Sequence, residues 1–414
     1  MIRIPPALKH RRFFFLWLGL LISISGTQMQ IWALFWHIRE LTDQPIAVSG
    51  IGLARILPVI VFSLIGGALA DSANRRKIIF VTQSVAALLA LALGLFTQFG
   101  HITIWHIYMI TACSAVAIAF DGPARQSLVP NLVPARDLPN AFSMTSIAFQ
   151  AGSVIGPALS GIVIAAWGLQ AVYYVNAASF LAVILALFLI GEVPQKMDHS
   201  ANGISLSSIG DGIRFILGKP IIFSTMILDF IATFFASANT LMPFIARDVL
   251  HVGVVEYGWL SAAQAVGAVS IAIIVSQVHE LRRQGPLFLG SVLVFGVATA
   301  VFGLSRNFVL AWIALALTGA ADGLSTIIRN TIRQLQTPDH IRGRMTSVNQ
   351  IFFQGGPQLG EIEAGAVAQI LGAPFAIVSG GIGCVVGLAL VVWKWPQLLA
   401  YDGHEPLLPS VTTG

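Results

Sequence analysis

VPARDLPNAFSMTSIAFQAGSVIGPALSG, residues 133–161, returns in altered form as TPDHIRGRMTSVNQIFFQGGPQLGEIEAG, residues 337–365. At a constant offset of 204 residues Pro134 meets Pro338, Ser143 meets Ser347 and Gln150 meets Gln354, while Gly152, Gly156 and Gly161 meet Gly356, Gly360 and Gly365. A repeat at that distance in a 414-residue chain divides it into two homologous halves. The second copy differs in one respect that needs explaining. It carries Glu361 and Glu363 within a stretch, 345–371, that has no other charged side chain.

The surroundings of those acids follow from composition. Hydrophobic residues make up 56% of the chain and charged residues 10%, with a mean hydropathy of +0.82, whereas soluble domains carry roughly 25% charged residues. This is an integral membrane protein. Crossing a ~30 Å hydrocarbon layer takes about 20 helical residues. Twelve stretches are long and apolar enough: 13–36, 46–70, 78–99, 102–124, 140–166, 169–191, 220–246, 256–278, 286–305, 307–328, 345–371 and 373–393. They are too long and too apolar for barrel strands, so the predicted fold class is all-α, with six spans in each half.

The basic residues set the orientation, because segments on the cytoplasmic side collect Lys and Arg. With both termini inside, 19 of the 23 basic residues fall on inner segments; Arg39, Arg247 and Arg306 fall outside and Arg55 within a span. The net charge of +5 is therefore a topology signal, and a nucleic-acid partner is not expected. MIRIPPALKHRR reads as a cytoplasmic tail, since the apolar run behind it is too long for a signal peptide and lacks a small-residue cleavage site. The predicted location is the inner (plasma) membrane. Cys113 and Cys384 both sit in spans without framework spacing and read as packing residues. Residues 1–191 form the first expected six-helix bundle and 220–414 the second. The only long polar connection, 192–219, is a cytoplasmic linker in which SLSSIGDGIRFILGKP fits a short helix along the membrane surface.

Four segments bring a family into view. GGALADSANRRK, residues 66–77, resembles the loop motif between spans 2 and 3 of the major facilitator superfamily, matching it at Gly67, Leu69, Ala70, Asp71, Arg75, Arg76 and Lys77. Asn74 stands where that motif has glycine, a mild departure because Asn tolerates left-handed backbone. FDGPARQSLVPNLVPARDLPNAFSM (120–144), IRFILGKPI (213–221) and RQLQTPDHIRGRM (333–345) narrow the resemblance to the branch that contains the enterobactin exporter and the macrolide efflux pumps.

The resemblance implies that Asp71 and Arg75, with Asp121 and Arg125 near the inner end of span 4, form a latch that closes the cytoplasmic side. Asp121 and Arg125 are one helical turn apart and can pair locally, and Arg75 can reach toward either acid. Topology and helix-end charge is the plainer reading of the loop, and for Asp121 and Arg125 a local structural pair serves equally well. In the second half the loop is reduced to QVHELRRQG (277–285). Spans 1, 4, 7 and 10 line the central cavity in this superfamily, which by resemblance makes Thr27, Gln30, Asn239 and Met242 candidates for substrate contact. Each pair is three residues apart and shares a helix face, although a lone Gln or Asn in a membrane more often bonds a neighbouring helix. His106 reads as structural, and so does Asp322, near the inner end of span 10.

Ionisable groups at membrane depth read as functional by default. Asp229 lies about 15 Å along span 7, Glu361 about 24 Å along span 11, and Arg55 about 14 Å in from the outer end of span 2, at 1.5 Å per residue. Matching depths allow Arg55 to pair with Glu361 or Glu363, with Asp229 in competition, so that protonating a carboxylate loosens the contact. Residues two apart on a helix point about 200° apart, so only one of Glu361 and Glu363 can face such a partner. The plainer role for these charges is a static interhelical salt bridge.

The chain has no Gly-x-x-x-x-Gly-Lys-Ser/Thr loop, no HExxH, no paired cysteines and no convincing Gly-x-Ser-x-Gly, which argues against an enzyme, a metal site or a cofactor. The expected function is that of a proton-coupled antiporter exporting small amphipathic organic molecules of drug, macrolide or siderophore type. It would work as a monomer in the bilayer, with the substrate and protons as its partners. An importer or lysophospholipid flippase of the same fold, or a membrane sensor that transports nothing, are the alternatives.

Overall fold

The computed structural model describes residues 5–194, 214–237, 239–278, 281–337 and 339–403. Among the described residues the chain is a succession of long helices: α1 Arg11–Leu41, α2 Pro45–Ser72, α3 Arg75–Gln98, α4 Ile104–Leu128, α5 Leu138–Trp167, α6 Leu169–Ile190, α7 Pro220–Ala236, α8 Val254–Ser276, α9 Gln284–Leu304, α10 Phe308–Gln336, α11 Asp339–Leu371 and α12 Ala373–Lys394. Local signals mark their ends. Asn74, Thr103 and Asn307 cap α3, α4 and α10 by accepting from backbone N–H groups of the first turn, the groups left without intrahelical partners. Pro45 opens α2 and Pro220 opens α7, where a missing N–H does no harm. Gly168 ends α5 at φ 83° and Gly372 ends α11 at φ 87°, a backbone region that glycine enters without strain. These two glycines are also 204 residues apart, so the repeat extends through the helix stops.

Eleven of these helical segments are long and apolar enough to cross a membrane. The other, α11, is a 33-residue helix that carries Gln354, Gln358, Glu361, Glu363 and Gln369 from its middle onward. Such a helix is tolerated in lipid when its polar side is turned to protein. The linker reading largely concerns residues 195–213, which lie outside the described residues; 214–217 form a helical turn.

The chain clusters into two compact units, one of Met1–Gly203 with Val252–Ala262 and one of Ile204–His251 with Ala263–Gly414. In the first, α1 packs on α5 and α6, α2 on α4, and α3 on α4 and α6. Its core gathers Phe13, Leu16, Leu20, Ile79, Leu128 and Leu187. The start of α8 belongs to this unit: Tyr257 donates to the Trp32 carbonyl at 2.9 Å and its ring lies 5.0 Å from that of Trp36. In the second unit α7 packs on α11 and α12, and α9 on α10 and α12, around Leu228, Phe288, Ile328, Ile332 and Cys384. The repeat glycines do the same work in both. A Cβ on Gly156 would meet the Ser25 carbonyl of α1 at 2.7 Å, and one on Gly360 would meet the Phe234 carbonyl of α7. Each lets the fifth helix of its half approach the first closely.

One span departs from its predicted course. The stretch 220–246 is expected to be continuous, but α7 stops at Ala236 and Ser237 turns extended, with ψ 101°. A 3-10 turn at Asn239–Leu241 follows, then one α-turn at Met242–Phe244 and a π-turn at Ile245–Val249. Pro243 is the physical reason. Inside a continuous helix it would lack an N–H and clash with the preceding turn, whereas at the start of a new turn it is free of both penalties. Ser237 and Asn239 add side chains that compete for backbone hydrogen bonds.

Candidate functional site

The second unit holds a buried cluster of charge. Arg329 of α10 forms an ion pair with Asp229 of α7, and its other terminal nitrogen lies 3.7 Å from Asp322 Oδ1. The same nitrogen donates to Thr326 Oγ1 at 2.7 Å. Asp229 and Arg329 are 8% and 7% exposed, whereas the Asp322 side chain is 49% exposed. Two acids thus share one guanidinium, and those three groups alone carry a net negative charge, against which stands Arg333, one turn further along α10 and close enough to act on Arg329. In a setting of low polarity the charge of two acids is costly unless a proton or a second cation, such as Arg333, meets it. Asp322 is the more exposed of the two acids, and Asp229 is the one in direct contact with Arg329.

Beside the cluster lies a cavity of about 260 Å³, lined by Thr233, Ser237, Asn239, Gln264, Thr318 and Asp322 together with Phe295 and several alanines. The interrupted stretch of α7 forms part of its wall through Ala236, Ser237 and Asn239. Irregular backbone at membrane depth is tolerated where it faces protein or a cavity, and broken helices mark transporter binding sites for that reason. A smaller pocket bounded by Asp229, Thr233, Phe295, Asp322, Ser325 and Arg329 adjoins it. The cavity offers hydroxyls and amides for hydrogen bonding, one aromatic face and an accessible carboxylate. No group of His, Cys, Asp and Glu arranged to hold a metal ion occurs among the described residues.

The residues singled out from sequence fall in several places. Asn239 and Met242 line a small extension of the cavity with Gln264 and Thr318, while Gln30 accepts from Asn176 at 2.8 Å, a helix-to-helix bond between α1 and α6. Thr27 is half-buried on α1. His106 is held by Thr103 Oγ1 at 2.8 Å and stacks on Phe96 at 5.0 Å, as a structural residue would. Glu361 is 6% exposed and Glu363 half-buried, which agrees with their pointing in different directions from α11. Asp229 finds its arginine on α10 of its own unit. Arg55 is half-buried on α2 of the first unit, so its pairing with Glu361 or Glu363, which are in the second, stays a proposal.

At the start of α3 the loop motif is partly visible. Arg75 donates to the carbonyls of Ala70 and Ser127 at 3.1 and 3.0 Å and to Asn131 Oδ1 at 3.1 Å, and Arg76 donates to the Leu187 carbonyl at 2.9 Å. Asp121 pairs with Arg125 and also accepts from Thr82 and Gln83 at 3.1 and 3.0 Å. The Asp71 side chain lies outside what is described. Gly67 meets nothing within 4 Å, but a Cβ on Gly66 would crowd the backbone of Ala119 and Phe120 in α4.

Sequence reading missed Arg329, which it took for an inner-loop charge beyond a span ending at 328. In the structure α10 continues to Gln336 and buries it. A signal was present: Asp322 and Arg329 are seven residues apart, two turns on one helix face, in a stretch whose apolar residues keep their helical period through Ile332.

Helices of membrane-crossing length in two repeated sets, a broken span and a buried charge cluster beside a polar cavity define a transporter of the major facilitator type. The chain belongs to the transmembrane secretion effector family of that superfamily, whose model matches residues 5–404. Among curated proteins it is 28% identical over 334 residues to the enterobactin exporter EntS of Citrobacter koseri, covering 80% of this chain and 79% of that one. It is 27% identical over 354 residues to the EntS of Escherichia coli O157:H7, covering 82% and 83%. Among solved structures, an inward-facing bacterial homologue of the human lysosomal transporter Spinster matches with a TM-score of 0.73 at 16% identity, over 96% of this chain and 99% of that one. A bacterial homologue of the iron transporter ferroportin matches with a TM-score of 0.68 at 16% identity, over 93% and 98%. Both likenesses concern the fold. The protein is a multi-pass membrane transporter and not an enzyme.

Proposed function

We propose that this transporter exports small amphipathic organic molecules from the cytoplasm in exchange for protons, with both chain termini on the cytoplasmic side. The observation that carries the reading is the cluster of Asp229, Arg329 and Asp322 at the wall of a cavity formed in part by the break in α7. When Asp322 binds a proton its pull on Arg329 falls, and the guanidinium settles on Asp229. When the proton leaves, the two acids compete for one cation, and a donor group of the substrate can relieve the surplus charge. Glu361 and Glu363 are proposed as further titratable groups. The names of the curated relatives make a catecholate siderophore the first substrate to try, and the hydroxyl and amide lining suits a molecule with many hydrogen-bonding groups around aromatic rings.

Proteoliposomes containing the purified chain and a pH-sensitive dye test this directly against a panel of catecholate siderophore, macrolide and cationic dye. Addition of a substrate is expected to move protons in the direction opposite to the compound. Substrate flux that leaves the lumenal pH unchanged would remove the antiport reading.

A further inference from the structure

Two threonines on the wall of the cavity limit what it can bind. Thr233 Oγ1 donates to the Asp229 carbonyl at 2.8 Å, one turn back on α7, and Thr318 Oγ1 donates to the Leu315 carbonyl at 2.7 Å on α10. A hydroxyl has one hydrogen. Both threonines have given theirs to the backbone, so each shows the cavity an oxygen that can only accept. The Gln264 amide nitrogen donates to Thr318 Oγ1 at 3.4 Å, which orients that amide and leaves its oxygen to accept. Asp322, when ionised, accepts and cannot donate.

The end of α7 adds acceptors of the same kind. Ala236 and Ser237 reach the cavity wall, and the Ser237 N–H returns no capping bond to the helix among the described residues. The last carbonyls of a helix point beyond its end, where its dipole is negative. Against these acceptors no Lys, Arg or His stands among the described residues lining the cavity. The two arginines nearby have their own partners: Arg329 is engaged by Asp229, Asp322 and Thr326, and Arg333 donates to Asn330. Their charges stand against the two acids, so a cationic ligand finds no unmatched anion. A neutral donor finds oxygens to bond and buries no new charge.

We propose that the cavity selects its ligand by neutral hydroxyl groups acting as hydrogen-bond donors, with Thr233 and Thr318 as the residues that set this preference. The ligand is an aromatic compound whose ring hydroxyls keep their hydrogens, its ring lying against Phe295. An ionised phenolate would bring lone pairs to lone pairs and is rejected, and so is an ether, which has no hydrogen to give. The inference rests on the reading of this chain as an exporter of small organic molecules, and adds to it which groups are recognised and in which protonation state.

Calorimetric titration of the purified full chain in detergent, with no gradient present, reads the preference. The probes are the propylamides of dihydroxybenzoic, dimethoxybenzoic and aminomethylbenzoic acid, at a mildly acidic pH where the ring hydroxyls are unionised. The dihydroxy compound is expected to bind about tenfold more tightly than the dimethoxy one, the difference that one or two net hydrogen bonds make. Thr233→Val, which exchanges the oxygen for a methyl group of the same shape, should remove most of that advantage and leave binding of the ether unchanged. Thr233→Ser, which keeps the hydroxyl, should retain it, and Thr318→Val should act as Thr233→Val does. Should Thr318→Val not fold, the two Thr233 variants decide alone. Absent binding of the dihydroxy compound, equal binding of it and its ether, tightest binding of the aminomethyl compound, or a preference that survives Thr233→Val overturns the proposal. If the preference is found but the dihydroxy compound crosses proteoliposome membranes without moving protons, the antiport reading fails and the donor preference stands.

Discussion

Arg329 on α10 and Asp229 on α7 form an ion pair in which both side chains are buried, and Asp322, seven residues before Arg329, lies within 3.7 Å of the same guanidinium. A pair so placed holds two helices of the second unit together and leaves one carboxylate over. Its members therefore separate experimentally into a structural acid and an exchangeable one.

Asp229→Asn should destabilise the protein, because removing one partner of a buried pair strands the other charge at a cost of about 3–5 kcal/mol. Asp322 can take up part of that loss. The double variant Asp229→Asn, Arg329→Gln is expected to recover much of the thermal midpoint in detergent without recovering transport. If the single variant melts at the temperature of the unaltered chain, the pair is not holding the unit.

Asp322→Asn is expected to keep the fold, since its side chain is half-exposed, and to lose proton-driven efflux while retaining downhill exchange of substrate. Everted vesicles with and without an imposed pH gradient separate the two activities. Retention of driven efflux in this variant would move the coupling role elsewhere.

Glu361→Gln and Glu363→Gln should differ. Glu361 is 6% exposed and Glu363 half-buried on the same helix, so the first amide should impair driven efflux more strongly than the second. Equal activity of the two variants in the vesicle assay would dismiss the assignment of distinct roles.

Gly66→Ala should lower the thermal midpoint, because its Cβ would run into the backbone of α4, and such overpacking typically costs about 1–3 kcal/mol. Gly67→Ala, with open space around its Cβ, should leave the midpoint unchanged. Thermal unfolding of the two variants side by side checks the pair.

Asp71→Asn tests the latch. It should slow cycling without unfolding the protein or weakening substrate binding, since the proposed role of Asp71 is to bias one conformational state. Measuring binding and flux on the same preparation distinguishes this from a loss of affinity, and normal flux would leave only the topological role of the loop.

Much of the architecture was legible before any coordinates. Hydropathy marked the helices, and the 204-residue offset ran through Gly156 and Gly360, which pack α5 on α1 and α11 on α7. The i, i+4 spacing of Asp121 and Arg125 correctly paired them. Interaction partners across helices were harder to see: Gln30 found Asn176, 146 residues away, and Asp229 found Arg329.

By itself, then, the sequence determined that this chain builds helices of membrane-crossing length in two related sets, and where most of them stop. These properties depend on hydropathy and on caps and glycines within one turn, which are local. The tertiary structure alone decided that Arg329 is the buried counter-ion of Asp229, and that α7 opens at Ser237 onto a polar cavity. Both depend on which helix faces lie together, and helix faces meet through contacts between residues far apart in the chain. Hydropathy and spacing along one strand of sequence carry no record of such neighbours.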